Sequence, residues 1–334
     1  MPLLRRAGAM RLRAGPAGRL RPTCCHQRAV SGGTVDDAEV DRFAQLAASW
    51  WQPDGPMAAL HHMQPTRMAY IKHVLLAHDP RGQAAADDAD PSSTLAGLRV
   101  LDVGCGAGLL TEPLARLGAE TVGVDATGPN IDAARWHATL DPALGGRLAY
   151  HHSTVEALAA APEHREAYDA VCAMEIVEHL APGTLGEFYR GCAACLRPGG
   201  VLITSTINRT AASYALAIVA AEHILRWVEQ GTHSWYAAPS TDEQPRPGLC
   251  ETAAENAPQP RCCCAREKFV TVEECAEALA AAGLRPRTGG GVERGPAVGI
   301  SSAGGGFAAT GMVYQPLRRE WSLSDDTDVN YGAL

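Results

Sequence analysis

The chain has 334 residues, enough for one large core or two modest ones, and its 46% hydrophobic and 20% charged residues are those of an ordinary soluble globular protein. Net charge is −8, yet the first 35 residues hold seven arginines and no lysine or acid, which leaves 22 basic against 37 acidic residues elsewhere. So acidic a body excludes nucleic acid as the main partner, because phosphate binding needs clustered positive charge.

Residues 1–33 are arginine-rich and acid-free and lack the continuous apolar core of a secretory signal. That is the signature of an organelle transit peptide, and import into mitochondria is expected, with 34–334 as the folded domain. Eleven cysteines do not make a disulfide framework: the number is odd, the chain is long, and the matrix is reducing. Cys192 and Cys195 form a CxxC within a helix-like stretch, with no second pair at finger-like spacing, and Cys262 to Cys264 lie in a Pro- and Ala-rich run. Zinc is expected at neither.

Residues 36–51, DDAEVDRFAQLAASWW, predict a helix with acids in its first turn and Val40, Phe43, Ala44 and Ala47 along one face. Residues 66–77 predict a second helix. A polar linker over 78–95 leads to an apolar strand at 98–103 that ends in a glycine-rich turn. Helices at 108–117, 129–140 and 183–196 then alternate with strands at 121–125, 148–152, 168–174 and 201–206. Such alternation means a Rossmann-like, doubly wound α/β sheet. Residues 235–265 and 286–306, rich in Pro, Gly, Ala and Cys, read as insertions without regular structure. Residues 267–284 and 310–316 add a helix and a strand. One domain is therefore expected over 34–334, with N-terminal helices and a partly irregular C-terminal third.

The turn after the first strand reads Asp102-Val103-Gly104-Cys105-Gly106-Ala107-Gly108. Leu109 stands where a dinucleotide fingerprint needs its third glycine, which speaks against an NAD-dependent oxidoreductase. Bare backbone at Gly104 and Gly106 permits close approach of a ligand. Asp102 can pair with an ammonium group, and Asp125, 21 residues after Gly104 at the end of the next strand, can accept both hydroxyls of a ribose. An adenosine carrying an amino-acid tail meets these demands, which is S-adenosylmethionine.

CAMEIVEHL (172–180) ends an apolar strand in Glu175, Glu178 and His179. At spacings i, i+3 and i+4 the three share one face if a helical turn begins there. Two readings stand open at this point: a metal seat, or a polar helix start whose acids complement the helix N-terminus.

DVGCGAG (102–108), VGVDAT (122–127) and LRPGGVLITST (196–206) resemble the motif series of class I S-adenosylmethionine-dependent methyltransferases. More narrowly, FAQLAASWWQPDGPMAALHHMQPTRMAYI (43–71), AMEIVEHLAP (173–182), TINRTAASYALAIVAAEHILRWVEQGTH (206–233) and DVNY (328–331) resemble the ubiquinone-biosynthesis O-methyltransferase family. The resemblance implies O-methylation of polyprenyl dihydroxybenzoates and demethylubiquinol. It places Arg67, Gly104, Asp125 and Met174 at the cofactor, and it implies Mg²⁺ at Glu175, Glu178 and His179. The metal would chelate a catechol and favour its phenolate, while His179 completes the coordination or acts as general base. The alternatives are a class I methyltransferase for another small phenol or carbon acid, and a non-catalytic scaffold in a quinone-synthesis complex.

Residues 212–228, ASYALAIVAAEHILRWV, set Tyr214, Ile218, Ala221, Leu225 and Val228 on one helical face and Glu222 and Arg226 on another. These charges make a poor membrane span. The pattern fits burial against the sheet, or an interfacial helix with Trp227 at headgroup depth. A polyprenyl substrate resides in a bilayer, so peripheral docking on the matrix face of the inner mitochondrial membrane is expected. The partners are then a polyprenyl catechol, the membrane surface and proteins of a quinone-synthesis complex.

Overall fold

In the computed structural model the described residues are 33–78, 93–207, 233–234, 267–268, 270–284, 298–299, 308–315, 320–324 and 331–333. The expected transit segment, the apolar 212–228 stretch and nearly all of both insertions lie outside them.

Five apolar runs set the framework: β1 (Arg99–Val103), β2 (Glu120–Asp125), β3 (Leu148–His152), β4 (Tyr168–Met174) and β5 (Leu196–Ile207). They pair in parallel in the order β3-β2-β1-β4-β5. β4 is buried at every position, which is why its sequence runs apolar without alternation. Two short strands, β6 (His233–Ser234) and β7 (Glu267–Lys268), pair with each other. β8 (Val298–Gly299), β9 (Ala308–Gln315), β10 (Glu320–Ser324) and β11 (Tyr331–Ala333) extend the main sheet beyond β5 by antiparallel pairing, with β11 next to β5.

Helices cover both faces. α1 (Asp37–Leu46) starts at Asp36, whose carboxylate accepts the Ala38 N–H at 3.0 Å. α2 (Ala58–His78) begins eight residues before its predicted start and runs through Pro65. A proline inside a helix costs roughly 3 kcal/mol. Here neighbouring side chains tie that turn down: His61 Nε2 lies 2.8 Å from Trp50 O and the Gln64 amide donates to Leu109 O at 2.8 Å. α3 (Thr111–Arg116) and α4 (Gly128–Ala138) follow β1 and β2. α5 (Val155–Ala160), which the periodicity did not announce, is capped by Thr154, whose hydroxyl accepts the Ala157 N–H at 3.2 Å. α6 (Leu185–Cys195) precedes β5, and α7 (Val272–Ala281) opens with a Thr271/Glu274 capping box.

One buried cluster joins Leu101, Val103 and Val171 to Phe188, Tyr189, Cys192 and Leu279; a second joins Val100, Ala170 and Ile203 to Ile71, Leu75 and Leu114. This is the expected doubly wound α/β sheet. Chain order runs outward in opposite directions from β1 and β4, so a crevice opens at their carboxyl ends, where ligands of such sheets bind. No helix among the described residues is long and apolar enough to cross a membrane.

Candidate active site

The candidate residues gather at the carboxyl ends of β1, β2 and β4 and on the neighbouring α2. The turn after β1 adopts backbone angles open chiefly to glycine, with φ +71°, +53° and +90° at Gly104, Gly106 and Gly108. Crowding reinforces the requirement. A Cβ on Gly104 would lie 2.7 Å from the Ile176 side chain, and one on Gly106 would collide with the Trp50 ring. The turn is held from several sides. The N–H groups of Gly104 and Cys105 donate to Val124 O at 2.8 and 3.1 Å. Gly106 N–H donates to Asp125 Oδ2 at 2.9 Å, and the Trp51 indole N–H to Ala107 O at 3.0 Å.

Asp102 is buried and accepts the Thr111 hydroxyl at 2.6 Å. Burial lifts its carboxyl to about 7, against the opposing pull of Thr111 and the Arg67 guanidinium and with help from Asp125. Burial also raises Asp125, against N–H bonds from Thr127, at 2.7 Å to Oδ1, and Gly106. Arg67, 5% exposed, sets Nη2 3.8 Å from Glu175 Oε1. Its Nε and Nη2 have no hydrogen-bond partner among the described residues. Unpaired N–H groups on a buried guanidinium are costly, and a carboxylate ligand suits them. Met174, placed at the cofactor by the family resemblance, ends β4 with its side chain in the cluster of Cys172 and Ile203.

The 175–179 motif departs from the one-faced helical turn expected of it. Glu175 takes a left-handed φ of +55° as the chain leaves β4, and only Val177–His179 form a single 3₁₀ turn. Alignment at i, i+3 and i+4 needs a continuous helix, so Glu175 falls out of line. Its N–H donates to the Ser205 carbonyl and hydroxyl, both at 3.1 Å, and that hydroxyl donates back to Glu175 Oε1 at 2.6 Å. Glu178 is buried. His179 turns to α1, with Nδ1 3.0 Å from Glu39 Oε2 and its ring edge-on to Phe43. Burial would raise the Glu39 carboxyl, but His179 and Arg42 outweigh it and hold it below its ordinary value. An ionised carboxylate only accepts, so the imidazole donates to Glu39 from Nδ1 and leaves Nε2 as the ring nitrogen not engaged by that acid. Among the described residues no three of His, Cys, Asp and Glu stand close enough to hold a metal ion. As placed, Glu175 is engaged by Ser205 and Arg67, and His179 by Glu39. Cys192 and Cys195 are both fully buried in the core.

Sequence reasoning passed over Ser205 and Glu39. Ser205 pairs in register with Met174 across β4 and β5, so a strand-end hydroxyl opposite a strand-end acid was the available signal. Glu39 offered none, because its partner lies 140 positions away.

Residues 100–200 match the family model described as a methyltransferase domain. The ubiquinone biosynthesis O-methyltransferase of Azorhizobium caulinodans is 39% identical over 304 residues, covering 91% of this chain and 94% of the relative. The chain belongs to the ubiquinone biosynthesis O-methyltransferase family. Family members from Methylocella silvestris (37% over 306 residues, 91% of this chain and 96% of the relative) and Sinorhizobium medicae (39% over 300 residues, 89% and 94%) are similar to the same extent. By that membership this is an S-adenosylmethionine-dependent O-methyltransferase of ubiquinone synthesis. The glycine turn, Asp102 and Asp125 fall within its methyltransferase domain, while Arg67 reaches it from α2.

Proposed function

We propose that this ubiquinone biosynthesis O-methyltransferase moves the methyl group of S-adenosylmethionine to one hydroxyl of a polyprenyl catechol, a dihydroxybenzoate or a demethylubiquinol. The observation that carries the donor half is the buried Asp102 at the glycine turn, within electrostatic reach of the buried Arg67 guanidinium. A buried acid and a buried guanidinium with unpaired donors lie close enough for the cation to lower the acid's pKa. The tail of the donor carries one ammonium and one carboxylate and answers both. Asp125, held at the end of β2 by the N–H groups of Gly106 and Thr127, is the acceptor for the ribose hydroxyls.

A catechol hydroxyl has a pKa of about 10 and is a weak nucleophile at neutral pH. His179, seated by Glu39 through Nδ1, takes the phenol proton on Nε2. The phenolate oxygen then bonds to the methyl carbon as the carbon–sulfur bond breaks and sulfur keeps the electron pair. The products are a methyl ether, S-adenosylhomocysteine and protonated His179. The chain's own contribution is chiefly orientation. Magnesium assistance at Glu175, Glu178 and His179 enters no step here, because the side chains as placed do not gather around an ion; bound there, the metal would favour the phenolate.

The test follows a labelled methyl group from S-adenosylmethionine to a short-chain demethylubiquinol. Full activity in excess chelator supports the metal-free route and rejects the metal. Loss that Mg²⁺ restores shows that the acids regroup around the ion. Transfer to simple phenols but not to demethylubiquinol overturns the substrate assignment.

The proposal extends to location: import through 1–33, docking of 212–228 on the matrix face of the inner membrane, and contact there with other quinone-synthesis proteins. Its support is the amphipathic pattern and the prenyl tail of the substrate. Deleting 212–228 should lower partition onto liposomes; unchanged partition counts against docking by that segment.

A further inference from the structure

Trp51 is joined to the glycine turn twice, once directly and once through a relay. Directly, its indole N–H donates to Ala107 O at 3.0 Å. Its ring also lies flat on the His137 imidazole, with centroids 3.4 Å apart and planes 3° from parallel. His137 Nδ1 is 2.7 Å from Glu112 Oε1, and Glu112 Oε2 takes Arg116 Nη2 at 2.8 Å. The Glu112 carboxylate is fully buried, and the backbone N–H of Glu112 donates to Gly108 O at 3.1 Å. The circuit thus leaves the turn at Ala107, passes through α4 and α3, and returns at Gly108.

We propose that Trp51, seated by His137 and Glu112, is a positioning residue that sets the glycine turn for the methyl donor. The proposal rests on reading Gly104–Gly108 as the donor's seat. Three glycines at positive φ leave this turn many accessible shapes when nothing clamps it. Donor affinity falls in proportion to the time the turn spends out of its binding shape. A tryptophan present only for packing would move stability and leave donor affinity alone.

The experiment uses the full-length enzyme, with S-adenosylhomocysteine as the binding probe. Trp51→Phe keeps a ring on His137 but removes the N–H. The dissociation constant of the probe and the KM for the donor should rise about tenfold, with the KM for the acceptor unmoved. His137→Gln, which lies off the turn, should shift the donor constants in the same direction by less, and should add little in the double variant. Wild-type probe affinity in Trp51→Phe, or an equal rise in both KM values, overturns the proposal. If Trp51→Phe does not fold, unchanged probe affinity in both His137→Gln and Glu112→Gln overturns it instead. Asp125→Asn separates the two layers. Weak probe binding there with normal binding in Trp51→Phe defeats the positioning role alone; normal binding in both defeats the reading of the seat as well.

Discussion

Glu175 and Ser205 hold each other at both ends: the Glu175 N–H reaches the serine carbonyl and hydroxyl at 3.1 Å, and the hydroxyl returns to Glu175 Oε1 at 2.6 Å. That clasp keeps a non-glycine residue at φ +55°, a conformation that costs of order 1–3 kcal/mol. Ser205→Ala should destabilise the fold by roughly 1.5–3 kcal/mol, the range for a hydrogen bond to a charged group, and slow turnover by releasing Glu175. At position 175 itself, Gly should give a protein about 1 kcal/mol more stable than Ala, because only Ala keeps the backbone strain. Urea unfolding of the three variants measures both effects; equal stability of the Gly and Ala variants would show that the left-handed backbone stores no strain.

The glycine turn tolerates no methyl group. Gly104→Ala meets both a φ of +71° and the Ile176 side chain at 2.7 Å, and Gly106→Ala meets the ring of Trp50. Both should weaken donor binding by a hundredfold or more, while far-ultraviolet circular dichroism stays native. Donor titration by calorimetry reads the outcome, and near-native affinity in either variant contradicts the crowding argument.

Arg67 should serve both stability and donor binding. Its guanidinium lies 3.8 Å from the Glu175 carboxylate, both side chains being largely buried, and removing one partner of a buried pair leaves the other charge uncompensated. Arg67→Met should therefore lower the Tm of the ligand-free enzyme. The same change should raise the donor dissociation constant at least tenfold, because the donor's carboxylate loses its cation. A Tm lower by several degrees, with donor affinity intact, would make Arg67 a structural residue.

How much of this was legible in the chain depends on the range of the interaction. β1, β2, β3 and β4 appear within a residue of their expected bounds, because a buried parallel strand announces itself as a short apolar run. The glycine turn, with Asp102 and Asp125 at the ends of β1 and β2, was equally legible, because each of these residues carries a local signal. α2 starts eight residues before the expected 66 and runs through Pro65, where the side-chain bonds of His61 to Trp50 O and of Gln64 to Leu109 O hold the helix. The 175–179 motif failed for a backbone reason. No local signal gives a glutamate a positive φ; a serine 30 positions on does. The partners of His179 and of Trp51, 140 and 56 positions distant, are products of the fold alone.

Asp102 should make both stability and donor binding depend on pH. Its carboxyl titrates at about 7 in the folded chain and near 3.9 when unfolded, so between those values folding takes up a proton. Stability from this group is greatest below pH 4, falls as pH rises, and levels off above 7. Asp102→Asn cannot ionise, so its stability relative to the native chain should grow from pH 5 to pH 7.5 by roughly 2 kcal/mol. Binding runs the opposite way. The donor's ammonium beside Asp102 favours the carboxylate, so binding at pH 6 must expel the proton that burial retains. Donor affinity should therefore rise with pH and flatten above 7. Calorimetry at pH 6 in two buffers of different ionisation enthalpy should detect the released proton. Asp102→Asn should bind the donor more weakly, release no proton and lose the pH dependence. Native affinity that stays flat from pH 5.5 to 8 would separate Asp102 from the donor's ammonium.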